Sequence, residues 1–66
     1  MTKPVVSLQP SEMALFHVAS RIYAAYVSTG RVTEGNENDM IDRSIAEALQ
    51  MERLIEEAVQ SDRELG

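Results

Sequence analysis

The apolar positions in the second half of the chain recur at the spacing of an α-helix. At about 100° per residue, those between residues 36 and 61 gather on one side, and polar side chains occupy the other. The apolar members are Met40, Ile41, Ile45, Ala48, Met51, Ile55, Ala58 and Val59. Asn36 can cap the start with its side-chain oxygen. The pattern therefore predicts one amphipathic helix over about 36–61, followed by a tail at 62–66 that we expect to fray.

An earlier helix is predicted over residues 10–29. Its opening proline suits the first turn, Gln9 would be the N-cap, and the Glu12 carboxylate can reach back to that cap. A start two residues later, with Ser11 as the N-cap, is the alternative. Apolar residues cover more than half of its circumference, which is expected of a helix with more than one neighbour. Gly30 provides a left-handed residue to end it.

The two predicted helices are joined by a short connection at residues 30–35, so they should fold back as antiparallel neighbours. Pro4 and Pro10 disfavour helix before them, so residues 1–9 are expected to form an extended or mobile arm. The apolar residues of this arm either dock on the helices or pair as a short strand. The predicted fold is all-α, a two-helix hairpin over 10–63 with an extended N-terminal arm.

The length of the chain limits the core that it can bury. A domain of 66 residues buries only about 60% of the surface of its unfolded chain, and such domains are commonly stabilised by disulfides, metals or oligomerisation. The chain has no cysteine and one histidine, which disfavours the first two solutions. We therefore expect two hairpins to pair into a homodimeric four-helix bundle.

The predicted interface between copies uses the apolar side of each helix. On the first helix it comprises Leu15, Phe16, Ala19, Ile22, Tyr23 and Tyr26. On the second helix it comprises Ile41, Ile45, Ala48, Met51, Glu52, Ile55 and Val59. The aromatic residues are interpreted as packing residues. Glu52 is the polar exception: it either points inward, where it can set the register between chains, or reaches solvent at the rim.

Charge restricts the classes of partner. The chain has 11 acidic and 6 basic residues and a net charge of −5, which opposes non-specific attraction to nucleic acid or anionic lipid. No apolar run approaches the roughly 18 residues of a membrane span. With no recognisable export signal, a cytoplasmic location is the expectation.

Candidate chemistry is sparse. His17 and Ser20, three residues apart, are the one candidate for acid–base or nucleophilic chemistry, but the pattern provides no carboxylate orienter or oxyanion hole, and a surface histidine is the better interpretation. The acidic loop at 34–39 lacks the ligand spacing of an EF-hand, and a turn before a capped helix explains it. We predict no catalytic, cofactor-binding or metal site, no cofactor and no enzymatic activity.

These patterns indicate an acidic helical module for protein–protein interaction, or an adaptor, that acts as a homo-oligomer. Its first partner is itself, with another protein as a further candidate. A nucleic acid is not an expected partner, and neither a membrane nor a small-molecule substrate is inferred.

The order of elements over residues 3–50 supports one alternative. An extended segment, a helix opened by Pro10, Ser11 and Glu12, a glycine-containing turn and a helix beginning near Asn36 resemble a ribbon-helix-helix protein. The resemblance implies a strand that reads the major groove of DNA, and a role as a DNA-binding regulator or antitoxin. Residues 3–7 depart from the family's polar or basic strand, and the net charge is acidic.

Overall fold

The computed structural model describes residues 7–65 of the chain, and the side chains of residues 7–61. Helix α1 spans Pro10–Ser28, helix α2 spans Glu37–Leu65, and the two contact each other as a hairpin. Within the described residues there is no strand. The predicted all-α hairpin is confirmed. Of the predicted N-terminal arm, residues 1–6 lie outside the described part, and residues 7–9 carry no regular structure.

The start of α1 is set by a reciprocal cap. Gln9 is the N-cap residue, and its backbone N–H donates a hydrogen bond of 2.8 Å to the carboxylate of Glu12. Pro10 occupies the first helical position, where its missing N–H costs no hydrogen bond. The earlier of the two predicted starts is therefore correct.

The end of α1 has the hydrogen bonds of a Schellman motif. The N–H of Arg31 donates to the carbonyl of Tyr26 at 2.9 Å, and the N–H of Gly30 donates to that of Val27 at 3.1 Å. Gly30 has a φ of +76°, in the left-handed region that glycine adopts without steric cost. The predicted stop is confirmed, and it turns the chain back toward α2.

Asn36 organises the connection rather than capping α2 with its side chain. Its backbone carbonyl accepts the N–H of Met40 at 3.0 Å, as an N-cap carbonyl does. Its side-chain oxygen accepts the N–H of Thr33 at 2.6 Å, and its amide donates to the carbonyl of Arg31 at 2.9 Å. The expected side-chain cap is therefore wrong, because the turn has backbone groups that the amide satisfies.

The two helices differ in length. Helix α2 has 29 residues and α1 has 19, a difference of about 15 Å at 1.5 Å per residue. Helix α2 continues to Leu65, beyond the predicted end near 61, since residues 37–65 contain no glycine or proline that would end the helix earlier. Both helices meet at the connection, so α2 extends past α1 at the other end of the hairpin, hereafter the open end.

The contact between the helices, hereafter the seam, is built around small residues. Ala19 is 9% exposed, Ser44 is 1% exposed and Ala48 is 2% exposed. The hydroxyl of Ser44 donates to the carbonyl of Met40 at 2.8 Å, so its burial leaves no unsatisfied donor. Half-buried neighbours four residues apart extend this line on each helix: Leu15 and Tyr23 on α1, and Met40 and Glu52 on α2. The seam thus follows the i, i+4 ridge of both helices.

The hairpin is a single layer of helices. It is 15 Å thick along its shortest axis and has a radius of gyration of 15.6 Å, whereas a compact domain of this length has about 11 Å. Its accessible surface is 5875 Å², against about 4,200 Å² for a compact monomer of the same mass. Stable domains usually bury their apolar surface between two layers. The hairpin therefore leaves much of its apolar surface in contact with water.

Candidate interaction surface

The seam divides the surface of the hairpin into two faces. Successive helical residues are about 100° apart, so residues that directly follow a seam residue lie on one face and residues that precede one lie on the other. On α2 the residues that follow the seam are Ile41, Ile45 and Leu49, with Arg53 at the open end of the row. On α1 the large apolar residue of this row is Phe16, and the small residues Ser20 and Ala24 continue it. Leu8 and Phe16 line one surface depression, and together with Leu8 the large apolar residues of these rows form what we call the apolar face.

The apolar face is exposed and concave. Phe16 is 61% exposed and Ile45 is 46% exposed. Between them, with Tyr23 and Ile41, lies a groove of about 270 Å³ whose floor is formed by Ala19 and Ser44. A second depression of about 350 Å³ continues it toward Leu8 and Leu49. A contiguous apolar surface of this kind is typical of a binding interface.

The opposite face is polar near the connection. The Tyr26 hydroxyl donates a hydrogen bond to the carboxylate of Glu47. The guanidinium carbons of Arg31 and Arg43 each lie 5.8 Å from the centre of the Tyr26 ring, within the range of cation–π attraction. Arg43 Nε also lies 3.7 Å from Glu47 Oε1. We call these four residues the tyrosine cluster; within the chain, Tyr26 and Arg43 both contact the Glu47 carboxylate, and Arg31 contacts the ring of Tyr26.

The tyrosine cluster changes the acidity of its phenol. The hydrogen bond to Glu47 is the largest cause, and together with burial and the negative charge of that carboxylate it raises the pKa of Tyr26 above its usual value of 10.0. The guanidinium of Arg43 acts in the opposite direction with a smaller effect. The neutral phenol is therefore the form that the fold favours.

Toward the open end, the same face carries a second apolar groove, which we call the open-end groove. Its volume is about 340 Å³. Ala14 and Val18 line it from α1, and Met51 and Ile55 line it from α2, over a floor of Leu15 and Ala48. Glu52 and Glu56 also line it. Glu52 is half-buried. The sequence left open whether it points inward or reaches solvent at the rim, and its observed burial lies between these two alternatives.

The structure distributes the predicted interface residues between the seam and both faces. Ala19 and Ala48 are buried within the hairpin, and five are half-buried: Leu15, Ile22, Tyr23, Tyr26 and Glu52. Six are exposed: Phe16, Ile41, Ile45, Met51, Ile55 and Val59. Contact of these residues with a second chain stays a prediction. The hairpin itself brings Phe16, Ile41 and Ile45 together on one face, and it places Met51 and Ile55 on the other.

Sequence reasoning missed several residues of these surfaces. Leu49 was not among the apolar residues grouped on the predicted second helix, although its position directly after Ala48 is the signal that assigns it to the apolar face. Ser44 reads as a polar residue, and only its spacing of four from Ala48 indicates a place in the seam. No local pattern predicts the tyrosine cluster, since Tyr26 and Glu47 are 21 residues apart in the chain.

The candidates for chemistry do not assemble into a site. The His17 ring stands edge-on to the Phe16 ring, with centroids 6.1 Å apart. The Ser20 hydroxyl donates to the backbone carbonyl of His17 at 2.9 Å, so it is not paired with the imidazole. In the described part of the chain, no three histidine, cysteine or carboxylate side chains cluster as metal ligands. Neither helix, over its described length, is long and apolar enough to cross a membrane.

The sequence matches no model of a known protein family, and neither the curated proteins nor the solved structures show significant similarity to it. The strand implied by a ribbon-helix-helix resemblance would fall on residues 3–7, of which only residue 7 is described. A helix, a turn and a helix are present, but any helical hairpin has this order. A functional interpretation therefore depends on the surfaces of the hairpin.

Proposed function

We propose that the chain is a non-enzymatic protein–protein interaction module that acts as a homodimer, with the apolar face as the contact between the two copies. The observation that carries this proposal is the exposure of large apolar side chains on one side of a single helical layer. A second copy supplies the missing layer and converts two hairpins into a four-helix bundle.

The amount of exposed surface supports pairing. The accessible surface of 5875 Å² exceeds that of a compact monomer of this mass by about 1,700 Å². A protein–protein interface of standard size removes about 800 Å² from each partner. The excess is therefore large enough to supply a stable interface.

The shape and charge of the apolar face favour a second copy as the occupant. In a two-fold symmetric dimer the same patch must provide both the protruding and the receiving parts. Here the side chains of Phe16 and Ile45 protrude beside a groove of about 270 Å³. The described residues that line this groove carry no charge. Two chains of net charge −5 can thus approach there without placing like charges opposite each other.

The tyrosine cluster makes the opposite face the poorer contact near the connection. Arg31, Arg43, Glu47 and Tyr26 already pair with one another within the chain. Burying them beneath a partner would remove water from charged groups without adding new pairs, which is unfavourable. On the apolar face, among the residues that the structure describes, the groove between Phe16 and Ile45 has no charged lining residue, and Glu12 is the one charged residue that lines the adjoining depression. The cost of burying charge is therefore smaller there, which favours the apolar face as the side on which the partner packs.

Sedimentation equilibrium of the full chain at micromolar concentration tests the proposal. We expect the wild type to sediment at twice its mass of 7.4 kDa. Ile45→Asp puts a charge in the centre of the apolar face, and we expect this variant to sediment at the monomer mass and to lose helicity, since folding and association are linked by mass action.

The matched control is Ile55→Asp, the same change at an exposed isoleucine on the other face. It should remain dimeric and helical. A well-folded wild-type species of 7.4 kDa, or equal dissociation of the two variants, would contradict the proposed contact.

A further inference from the structure

The open-end groove lies on the face opposite to the proposed dimer contact, so a ligand in it would not compete with the second copy. Val18, Met51 and Ile55 provide apolar walls, and Ile55 is 59% exposed. Val59, one turn beyond Ile55, extends this apolar line past the end of α1 and is itself exposed. The groove is therefore an apolar surface that neither α1 nor the proposed dimer covers.

The charge of the groove selects the chemistry of its occupant. Glu52 and Glu56 both line it, and no lysine or arginine does so among the residues that the structure describes. They are four residues apart on one helix, where like charges repel each other. Glu52 is also half-buried, which increases the benefit of a neighbouring positive charge. A basic partner is therefore the electrostatic complement.

The dimensions of the groove fit a helix. It is lined by residues 11–18 of α1 and 48–56 of α2, which at 1.5 Å per residue corresponds to about 12 Å, or two helical turns. The exposed side chain of Val59 adds one more turn. A partner helix lying along this length would present apolar side chains at positions i, i+3 or i+4, and i+7 to the groove.

We propose that the open-end groove binds a basic amphipathic helix of another protein. Its apolar stripe packs between Val18, Met51 and Ile55, and its flanking lysine or arginine side chains pair with Glu52 and Glu56. Every residue that lines this binding site comes from a single chain, so the second copy contributes to it only by stabilising the fold that the proposed homodimer completes. Within the homodimer, two such grooves make the molecule a bivalent adaptor that brings two partner helices together.

The probe is a fluorescent peptide of about 15 residues, patterned as an amphipathic helix with Leu on one side and Lys on the other. Its binding to the full chain is measured by fluorescence anisotropy. We expect saturable binding that weakens about ten-fold in the Glu52→Gln, Glu56→Gln double variant. The Glu34→Gln, Glu57→Gln double variant removes the same charge from exposed positions outside the groove and should bind as the wild type does.

A second pair of variants tests the apolar part of the groove. Ile55→Ser shortens an exposed wall residue and should weaken probe binding about ten-fold. Leu54→Ser makes a comparable change at an exposed leucine of the same helix that lines neither the open-end groove nor the apolar face, and it should leave probe affinity unchanged. Circular dichroism of every variant establishes that helicity is retained, and sedimentation of the same samples reports the oligomeric state.

Each of several results would overturn the inference. Absence of saturable probe binding would overturn it. An equal loss of probe affinity in the two double variants would also overturn it, because it would indicate attraction to net charge alone. Equal affinity for a peptide with glutamate in place of lysine would show that the groove does not select a basic helix. Dissociation of the wild-type dimer by the probe would show that a second copy occupies the groove instead.

Discussion

Tyr26 contacts both the connection and α2 from its position near the end of α1. Its hydroxyl donates a hydrogen bond to Glu47 of α2, and the guanidinium carbons of Arg31 and Arg43 each lie 5.8 Å from the centre of its ring. One side chain of α1 thus contacts the connection through Arg31 and the second and third turns of α2 through Arg43 and Glu47. Because the neutral phenol donates this hydrogen bond, the contact depends on the protonation state of Tyr26.

The protonation state of Tyr26 predicts a loss of stability at high pH. Its pKa in the folded chain is raised above the usual 10.0, so the stabilisation is complete below about pH 10 and is lost as the pH rises through the folded pKa. We expect the thermal midpoint, measured by circular dichroism from about pH 8 to about pH 11, to fall more steeply in the wild type than in Tyr26→Phe.

The control for this prediction is Tyr23→Phe, which removes the other tyrosine and keeps the cluster. It should retain the steep decrease of the wild type. If Tyr26→Phe shows the same dependence on pH as the wild type, the hydrogen bond to Glu47 does not contribute to the stability of the hairpin.

At the level of the helices, the closest approach of α1 to α2 depends on residues without large side chains. Ala48 is 2% exposed in the seam, whereas Ala46 lies on the exposed side of the same helix. Leucine at position 48 must push the helices apart or adopt a strained rotamer. We expect Ala48→Leu to lower the free energy of unfolding by about 1–3 kcal/mol, measured by urea denaturation.

Ala46→Leu is the matched control. It makes the same change in the same helix, with the same cost in helix propensity, but residue 46 does not contact the seam. Its effect should stay within about 0.5 kcal/mol of zero. Equal effects of the two substitutions would mean that the seam is not tightly packed at Ala48.

The end of α1 offers a test of backbone conformation alone. Gly30 has a φ of +76°, and nothing lies within 4 Å of a Cβ added there. Gly30→Ala therefore introduces strain without a clash, and we expect it to destabilise the hairpin by about 1 kcal/mol in urea denaturation. D-alanine at position 30, which favours positive φ, should not destabilise it. If L-alanine and D-alanine at position 30 both lowered the free energy of unfolding, the positive φ of the Schellman motif would not be the cause of the destabilisation.

At the scale of the whole molecule, the two described helices form one layer and have no second layer packed against them. A single layer 15 Å thick cannot surround its apolar side chains, however well its two helices fit each other. The proposed homodimer therefore contributes to stability as well as to function, and folding should depend on protein concentration.

This dependence is measurable as a shift in melting temperature. For a dimer that unfolds to two separate chains, a hundred-fold increase in concentration should raise the thermal midpoint by roughly 10 °C. The Ile55→Asp variant should show the same shift as the wild type. A thermal midpoint of the wild type that does not change with concentration would contradict the proposal that the fold is completed by association.

The elements of this hairpin were predictable because their signals are local. The proline after Gln9, the carboxylate of Glu12 and the glycine at position 30 act on residues within one turn of themselves. The surfaces were less predictable. Phe16 and Met51 fell in one predicted interface, yet the structure places them on opposite faces. The reason is that the seam contains every fourth residue of α2, and such a line winds gradually around the helix instead of staying on one side.

The sequence by itself determined two amphipathic helices, the stop of α1 at Gly30, its start to within two residues, and a connection short enough to fold the helices together, because periodicity and capping act between near neighbours in the chain. Only the tertiary structure decided which side of each helix faces the other. The apolar arc covers about half of both helices, and such a breadth leaves several orientations open. The small residues Ala19, Ser44 and Ala48 select one of them because they allow the closest approach, and that choice leaves Phe16 and Ile45 outside.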